Sequence, residues 1–574
     1  MIWWLENPIR ARSERQGVAD LAERVAWLKG VRWHLSNGAA LAVDFEIEHD
    51  GDSVPLTMTY AEFHPNSPPI VLPRDGSRLS NHQYGAGGNL CLEYRADNWE
   101  TSITGAMMIE SAHRLIAGER DVDGSELPSA HAVSLGQSVR GSYFRFLLTR
   151  QMEERLTAIA PGQSVEIGIA EKYYADTFTV TIAEIDGVTD GRAWPAGIRE
   201  TTKRGHAIRL PEGTAMPAAT QAGIADLLGA LGLEALREAA LATSGEMDLV
   251  LASATGIAHF YAYDAGQKRV FGRSRLLKVA TGSRLPDDYA VLAGKSVGIV
   301  GCGSLGSKLA AMLARAGVGT FTLVDDDVFF AENLVRNELG AAAAGAHKAD
   351  AVRSRLTEIA GTIDVTVRRV ALGGQESADS TDSVMSALRA CDLIIDATAD
   401  AHCFNFCAAV AKESLKPLVW GEVFAGGIGG LVARVRSGHE PEPQAARNQI
   451  SAWCNAHDVP APLAGLAAPY EAAAGSAGPL VADDAEVSII AGHLARLATD
   501  VLTRPEDSAF PAPAYAIGLR QGWIFSQPFE TWPIDLVGAD PWKAAQDPTS
   551  TAESLALLRE LLPSAFDGHD LPSE

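Results

Sequence analysis

A glycine-rich loop at residues 301–306 is the feature that most constrains the fold of this chain. The loop reads Gly-Cys-Gly-Ser-Leu-Gly, follows the apolar run Val297–Val300 and precedes an apolar helical pattern over residues 308–316. Glycines let the backbone approach a ligand closely, and the N–H groups at the start of a helix attract phosphate. Further strand-like runs follow at 320–325, 392–396, 418–421 and 431–435. The pattern predicts a doubly wound α/β domain that binds a nucleotide.

The loop alone does not identify the nucleotide. Asp325 ends the next strand-like run, where an acidic residue binds ribose hydroxyls in dinucleotide-binding folds. A dinucleotide-dependent oxidoreductase is therefore an alternative. Binding of a nicotinamide cofactor with hydride transfer would identify it.

A series of polar residues follows the loop. In chain order they are the aspartates 325–327, Asn333, Arg336, Lys348 and Asp396. This series resembles the adenylation domain of ubiquitin-activating and ThiF/MoeB-type enzymes, over roughly residues 285–435. A hydride-transfer enzyme has no need of the asparagine, the arginine and the lysine.

The resemblance implies ATP-dependent adenylation of a carboxylate. Because the carboxylate and the α-phosphate are both anions, cations must neutralise the charge that develops as pyrophosphate leaves. By resemblance the nucleotide loop is Gly301, Gly303 and Gly306, Asp325 holds the ribose, Asn333, Arg336 and Lys348 hold the phosphates, and Asp396 holds Mg2+. The alternative to phosphate binding is that Arg336 and Lys348 are ordinary charged residues on a solvated helix face.

The six cysteines stand at 91, 302, 391, 403, 407 and 454, without any Cys-x-x-Cys pair. Many bacterial adenylating relatives hold zinc on two such pairs, so we expect no structural zinc. The resemblance also implies an activating cysteine beyond Asp396. We predict Cys454, which lies in the Pro/Ala/Gly-rich segment 439–483 that we expect to be a mobile crossover loop. Cys403 and Cys407 compete, but their spacing in an apolar helical pattern is typical of buried structural cysteines.

The N-terminal part of the chain shows a different pattern. A helical stripe at 7–28 precedes strand-like runs at 31–35, 41–48 and 54–60, which predict an antiparallel meander, and a helical pattern at 101–117. A proline-rich segment follows the meander, then Gly88-Asn89-Leu90-Cys91-Leu92 and Trp99. This order resembles the ubiquitin-conjugating fold over residues 5–120, and it implies that Cys91 carries an acyl thioester. The alternative is a buried cysteine in an apolar strand.

One match to that family is displaced. His64-Pro65-Asn66 has the family's tripeptide sequence but stands in the proline-rich segment, far from Cys91. Nearer the cysteine, where the family has the tripeptide, this chain has Asn81-His82-Gln83. Asn81 or His82 is therefore a candidate to stabilise the oxyanion or to deprotonate the incoming amine, with ordinary loop residues as the alternative.

We expect a multidomain α+β and α/β protein. Residues 1–155 form an N-terminal ubiquitin-conjugating-like α+β domain, and 286–574 form a C-terminal doubly wound, Rossmann-like ThiF adenylation domain. Between them, residues 156–285 form a middle α/β linker or docking domain with strand-like runs at 164–170 and 177–185 and a helical pattern at 218–242. We find no catalytic constellation in that middle region.

Charge and composition limit the partners. The formal net charge is −24 and 47% of the residues are hydrophobic. A negative protein repels a phosphate backbone and an anionic bilayer, so we expect no nucleic-acid and no membrane partner. We also expect a cytoplasmic protein with reduced cysteines.

The three predicted domains together resemble the bacterial fused activating and conjugating enzymes of CBASS antiviral systems. The resemblance implies that the C-terminal carboxylate of a cGAS-like nucleotidyltransferase is adenylated, passed to Cys454, then to Cys91, and joined to a target amine. It also implies a homodimer. A separate bacterial ubiquitin-like protein is an alternative substrate, and a non-catalytic nucleotide-binding scaffold is an alternative class of function.

Overall fold

The computed structural model describes residues 2–36, 38–77, 79, 82–83, 88–120, 139–174, 177–189, 202–278, 285–360, 362–424, 427–457, 482–539, 541–542 and 551–562. The polypeptide divides into two compact units, Met1–Gly141 and Ser142–Glu574. The second unit therefore begins at Ser142, upstream of the expected boundary at residue 156.

In the described residues the first unit has three helices and a four-stranded antiparallel meander with strand order β1-β2-β3-β4. The meander was predicted with three strands, and β4 comes from the proline-rich segment, which was not predicted to be a strand. Its elements are α1 Trp3–Glu6, α2 Pro8–Arg24, β1 Leu28–Ser36, β2 Ala40–His49, β3 Asp52–Thr59, β4 Ile70–Pro73 and α3 Gly105–Arg120. Asn7 caps α2 by accepting the backbone N–H of Arg10 at 3.2 Å, and Pro8 occupies the first helical position. The helices share one hydrophobic core with the sheet.

A buried carboxylate ties this unit together. Glu14 of α2 is 1% exposed and accepts hydrogen bonds from Arg10 Nε at 2.7 Å, the Tyr60 hydroxyl at 3.0 Å and the Gly105 backbone N–H at 2.6 Å. The ring of His64 is buried as well, with Nε2 3.4 Å from Oε1 of Glu14. Burial raises the pKa of Glu14, but the contacts with His64, Gly105 and Arg10 outweigh it, and the pKa falls below its usual value.

Replacing Glu14 with Ala should lower the free energy of unfolding of the first unit by about 3 kcal/mol, because it leaves buried donors without an acceptor. Because the folded-state pKa is depressed, this contribution is present above the unfolded-state pKa and is lost as pH falls through the folded-state pKa. Acid should therefore destabilise the wild type more than the variant. Hydrogen exchange of the α2 and α3 amides in the full chain measures the effect.

Asp20→Ala on the same helix is the matched control. Asp20 accepts only an exposed hydrogen bond from Gln16 at 2.7 Å, so its removal should change the free energy by less than about 0.5 kcal/mol. Equal effects of the two substitutions would show that the Glu14 contacts do not stabilise this unit.

The second unit begins with a nine-stranded mixed sheet of order β12-β11-β10-β9-β6-β7-β5-β13, with β8 beside β7. The strands are β5 Phe144–Leu148, β6 Ser164–Tyr174, β7 Thr177–Ile185, β8 Val188–Thr189, β9 Thr202–Arg209, β10 Met247–Ser253, β11 Gly256–Ala265, β12 Lys268–Arg273 and β13 Arg275–Lys278. The helices are α4 Arg150–Ala158, α5 Gln221–Ala230 and α6 Glu234–Leu241. The helical pattern predicted at 218–242 is thus two helices, separated at Gly232, whose φ of +70° favours glycine.

Ser274 joins the two ends of this sheet. It is the single residue between β12 and β13, and its backbone N–H donates to the carbonyl of His259 on β11 at 3.0 Å. The Ser274 hydroxyl lies 2.9 Å from Nδ1 of His259, whose Nε2 lies 3.0 Å from Oδ1 of Asp248. Hydrolases use the same three residue types, but all three side chains are buried here. We therefore infer that this series of hydrogen bonds has a structural role and closes the sheet.

An eight-stranded sheet of order β16-β15-β14-β17-β18-β19-β20-β21 completes the second unit. Its strands are β14 Ser296–Val300, β15 Thr320–Val324, β16 Asp364–Arg368, β17 Leu393–Asp396, β18 Leu418–Val423, β19 Gly429–Val435, β20 Ala514–Gly518 and β21 Thr531–Ile534. The strands β14 to β18 pair parallel with one another. The pairs β18–β19, β19–β20 and β20–β21 are antiparallel. The predicted doubly wound α/β sheet is confirmed.

Helices cover the two faces of this sheet. They are α7 Ser304–Ala316, α8 Lys348–Ile359, α9 Ala378–Arg389, α10 Ala401–Ser414, α11 Pro443–Ala456 and α12 Asp484–Thr503. One hydrophobic core contains residues of α7, α8 and α12, and a second contains residues of α9, α10 and α11. A further helix, α13 Thr551–Leu561, follows β21 in the chain, and its described residues are not part of these cores. Among the helices of the described segments, none combines the length and the apolar character needed to cross a bilayer.

Candidate functional site

The carboxyl ends of the parallel strands form one edge of the eight-stranded sheet. β15 and β16 lie on one side of β14, and β17 and β18 lie on the other. The strand order therefore reverses between β14 and β17, which makes this position a topological switch point. Ligands of open α/β sheets bind at such a point, outside the carboxyl ends of the strands. The glycine loop follows β14, Asp325 follows β15 and Asp396 ends β17, so three of the predicted positions meet at this edge.

The glycines of the loop have different roles. Gly301 has a φ of +89°, in the left-handed region that favours glycine, and donates its N–H to the Val324 carbonyl at 2.9 Å. A Cβ on Gly306 would lie 1.8 Å from the Gly301 carbonyl oxygen, so a larger residue does not fit there. A Cβ on Gly303 would meet no atom within 4 Å. Gly303 therefore faces open space at the start of α7, where a phosphate would lie.

Asp325 is fixed by backbone groups. Its Oδ2 accepts the Cys302 N–H at 2.6 Å and its Oδ1 accepts the Asp327 N–H at 2.9 Å. Burial raises the pKa of this carboxyl, while both N–H bonds and the positive charge of Lys348 oppose the shift. Lys348 begins α8 and its Nζ pairs with Asp327, so the predicted phosphate-binding ammonium lies close to the predicted ribose-binding carboxylate.

Asn333 and Arg336 lie in the connection between β15 and α8. Asn333 belongs to the 3-10 helix Ala331–Val335, and its Oδ1 accepts the Phe330 N–H at 2.9 Å. Arg336 follows that helix directly and is half-buried. The structure thus assigns both residues to the same connection, and their contacts with phosphate stay a prediction.

Asp396 is buried at the end of β17, with 4% exposure. Its Oδ1 accepts the backbone N–H of Thr398 at 2.9 Å and the Thr398 hydroxyl at 2.6 Å. Among the described residues no donor bonds Oδ2. Burial raises the pKa of Asp396, and the Thr398 bonds and the charge of Arg447 oppose the shift. A buried carboxylate with one free oxygen fits a cation ligand.

Two charged residues near Asp396 were missed by the sequence reasoning. Glu422 lies on β18, two residues beyond Trp420, which pairs opposite Asp396. Burial raises the pKa of Glu422 to about 7, with the charge of Arg447 opposing and that of Asp396 adding. Glu422 directly follows the predicted apolar strand at 418–421, which was a usable signal. Arg447 lies on α11, and no pattern in the sequence marked it as a site residue.

Cys454 lies on a helix, so its predicted place in a mobile loop is wrong. Its helix α11 ends at Ala456, and Ala446, Ile450 and Cys454 form an apolar stripe within the core. This i, i+4 periodicity prevails over the Pro/Ala/Gly composition that suggested a loop. Residues 458–481 of the predicted loop lie outside the described residues. The role of Cys454 as the activating cysteine stays a prediction.

Burial disfavours the thiolate form of Cys454 in this conformation. The residue is 5% exposed, and burial together with the charge of Glu422 raises its pKa to about 11. The competing residues Cys403 and Cys407 on α10 are also buried, at 2% and 0% exposure, as their pattern predicted. Burial therefore does not distinguish the three candidates.

Cys91 and Cys454 should differ in reactivity, because the thiolate is the nucleophile and Cys91 is only half-buried. We expect iodoacetamide to modify Cys454 at least about tenfold more slowly than Cys91 in the folded chain at neutral pH. Mass spectrometry of the peptides measures both rates. In urea the two rates should converge, and equal rates without urea would contradict the buried position of Cys454.

Cys91 lies between two buried leucines of the first unit. Leu90 and Leu92 are each 3% exposed, and the Cys91 N–H donates to the His82 carbonyl at 2.7 Å. The His82 backbone therefore adjoins Cys91, whereas Asn81 lies outside the described residues. Trp99 donates its Nε1–H to the Pro65 carbonyl at 2.8 Å, which joins the segment after Cys91 to the proline-rich segment.

Comparison with known proteins matches the region of the nucleotide site. Residues 279–477 match the model of the ThiF family. This match lies within the second unit and includes the glycine loop, Asp325 and Asp396. The family model covers neither the first unit nor the nine-stranded sheet.

Curated relatives match the chain over short stretches. The uncharacterized protein y4oA of Sinorhizobium fredii is 32% identical over 30% of this chain and 32% of its own length. The ATP-dependent ubiquitin transferase-like protein Cap2 of Pseudomonas aeruginosa is 36% identical over 19% of each chain. The probable adenylyltransferase/sulfurtransferase MoeZ of Mycobacterium tuberculosis is 33% identical over 22% of this chain and 31% of its own. The chain thus spans less than a third of the length of these relatives.

Solved structures match more loosely. The crystal structure of Escherichia coli MccB with ATP has a TM-score of 0.33 and 13% identity, over 43% of this chain and 66% of MccB.

Proposed function

We propose that this chain uses ATP to adenylate the C-terminal carboxylate of a protein, forms a thioester on Cys454, passes the acyl group to Cys91 and joins it to a target amine. Adenylation, the first step, is supported by the sheet edge at which the glycine loop, Asp325, Lys348 and Asp396 meet. The relatives named adenylyltransferase and ubiquitin transferase-like support the same chemistry.

The residues at the edge suit binding of ATP. The open side of Gly303 and the N-terminus of α7 would receive phosphate, and Asp325 would accept hydrogen bonds from the ribose hydroxyls. Lys348 would leave Asp327 to pair with the phosphates of ATP, because charge-assisted hydrogen bonds of an ammonium to phosphate oxygens are strong. Arg336 follows in the same connection and would supply a second cation.

Asp396 would hold Mg2+ through its free Oδ2. When bound, Mg2+ withdraws charge from the phosphates and so assists departure of pyrophosphate. The substrate carboxylate attacks the α-phosphorus, a new P–O bond forms, and the bond to pyrophosphate breaks. Arg447 and Lys348 keep the surroundings positive enough for two anions to approach.

Transfer to Cys454 requires a change at α11. A thiolate must attack the acyl carbon of the adenylate and release AMP, but the Cys454 thiol is buried, and burial raises its pKa to about 11. Exposure of the end of α11 would bring the thiol to water and lower its pKa. The acyl group would then pass by thioester exchange to Cys91, and a target amine would displace it there with loss of a proton.

For the modifier we propose a cGAS-like nucleotidyltransferase with a free C-terminus, in antiphage defence of the CBASS type. The relative named ATP-dependent ubiquitin transferase-like protein supports a protein as the modifier, and the choice of a nucleotidyltransferase rests on the resemblance of the sequence. A separate ubiquitin-like protein is the alternative modifier. A homodimer in the cytoplasm and a conjugating-like first unit belong to the same proposal.

A nucleotide-binding scaffold is the second candidate. The buried Cys454 and the displaced His-Pro-Asn tripeptide favour it. Exchange of pyrophosphate into ATP, measured with and without the carboxylate protein, separates the two functions. Carboxylate-dependent exchange supports adenylation, whereas ATP binding without exchange supports the scaffold.

A further inference from the structure

Three buried ligand groups lie together behind the nucleotide site. They are the carboxylate of Asp396 at the end of β17 and the thiols of Cys403 and Cys407 on α10, and one ligand atom of each lies within 4.8 Å of the others. Their exposures are 4%, 2% and 0%. Helix α10 starts five residues after Asp396 and presents its two cysteines, one turn apart, on the face that packs toward that strand.

We propose that Asp396, Cys403 and Cys407 form a site for a thiophilic divalent cation, of which Zn2+ is the common example. Around a tetrahedral zinc with bonds of ~2.3 Å, two sulfur ligands lie ~3.8 Å apart, which the observed spacing allows. Two thiolates and one carboxylate select zinc-like ions, since Mg2+ prefers oxygen ligands alone. The expectation of no structural zinc concerned Cys-x-x-Cys pairs, a different donor set.

Binding forms two metal–sulfur bonds and one metal–oxygen bond. Two S–H bonds break, and their protons pass to solvent. The fourth position of a tetrahedral ion is left for water. Because Asp396 is also the proposed Mg2+ ligand, the thiophilic ion would remove it from the nucleotide site, and the cluster would make adenylation sensitive to zinc. That last consequence rests on the proposed function, whereas the metal site itself does not.

Cobalt absorption tests the site directly. The full chain, prepared metal-free and reduced, should bind one Co2+ with near-ultraviolet thiolate-to-cobalt charge-transfer absorption. Cys403→Ser and Cys407→Ser should each weaken Co2+ and Zn2+ binding by about a hundredfold or more, because loss of an outer-shell partner already costs about 10–100-fold. Cys391→Ser is the matched control, since Cys391 is a buried cysteine in the connection between α9 and β17 and is not part of the cluster.

The outcomes separate the site from its consequence. Charge-transfer absorption that is lost in both variants and kept in Cys391→Ser supports the site. Its absence in the wild type, or its survival in the Cys403→Ser/Cys407→Ser double variant, overturns it. If a variant does not fold, X-ray absorption spectroscopy of the zinc-loaded wild type gives the number of sulfur atoms bound to zinc. Two sulfur ligands support the site, and none or one overturns it.

Measurement of pyrophosphate exchange tests the regulatory consequence separately from the metal site. Zn2+ in the presence of excess Mg2+ should suppress pyrophosphate exchange in the wild type and not in the double variant. Absence of exchange in every protein would contradict the proposed function alone, because the cobalt result does not depend on it. Equal inhibition of the wild type and the double variant would overturn the regulatory consequence.

Discussion

Replacing Asp396 with Asn should reduce carboxylate-dependent pyrophosphate exchange by at least about 100-fold, the usual cost of removing one group that stabilises transition-state charge. The amide of the variant would keep the size of the side chain and an oxygen for the Thr398 donors, but it would lack the negative charge that holds Mg2+. Exchange of labelled pyrophosphate into ATP by the full chain measures the effect.

Asp392→Asn is the matched control for this variant. Asp392 precedes the same strand at its opposite end and accepts hydrogen bonds from the Ser296 backbone N–H at 2.8 Å and the Ser296 hydroxyl at 2.9 Å. Its replacement should change exchange by less than about threefold, because it lies away from the carboxyl edge. Full exchange in Asp396→Asn, with the control also active, would exclude Asp396 from metal binding.

Replacing Cys454 with Ala should leave exchange intact and abolish thioester formation on both Cys454 and Cys91. Adenylation uses groups at the sheet edge, whereas the thiol is needed only after the adenylate has formed. Cys91→Ala should instead leave the Cys454 thioester in place and stop transfer. Intact mass spectrometry under non-reducing conditions separates these patterns.

Cys407→Ala is the control that decides between the candidate cysteines. It lies in the same core as Cys454, so a change of packing alone would affect both variants. If Cys407→Ala kept exchange and lost every thioester while Cys454→Ala formed one, the activating cysteine would be Cys407. If both variants formed thioester on Cys91, neither thiol would be an obligatory intermediate.

The elements that local chemistry determines could be predicted from the sequence. The glycine loop followed a strand and preceded a helix, and the structure has β14, the loop and α7 in that order. The strand-like runs at 31–35, 41–48 and 54–60 predicted the meander, and Asp50 and Gly51 turn the chain between β2 and β3 with left-handed φ values. Asp325 and Asp396 were found because apolar strands end at them.

Groups that tertiary packing brings together could not be predicted. The charge of Arg447 on α11 lowers the pKa of Asp396, and the charge of Asp396 raises the pKa of Glu422 on β18, although the three residues come from different elements. The Pro/Ala/Gly content around Cys454 suggested a loop, but burial of one helical face determined its conformation. The pair Cys403 and Cys407 was expected to be buried, and only the fold shows that Asp396 lies within reach of both thiols.

The most direct test of the account is to incubate the full chain with ATP, Mg2+ and a purified cGAS-like nucleotidyltransferase, and to measure adducts by intact mass and non-reducing gel. We expect an adduct that dithiothreitol releases, that requires Cys454, that stays on Cys454 when Cys91 is replaced with Ala, and that disappears when the C-terminal residues of the nucleotidyltransferase are removed. An adduct with a bacterial ubiquitin-like protein alone would change the modifier. ATP binding without exchange or adduct with either protein would contradict carboxylate activation.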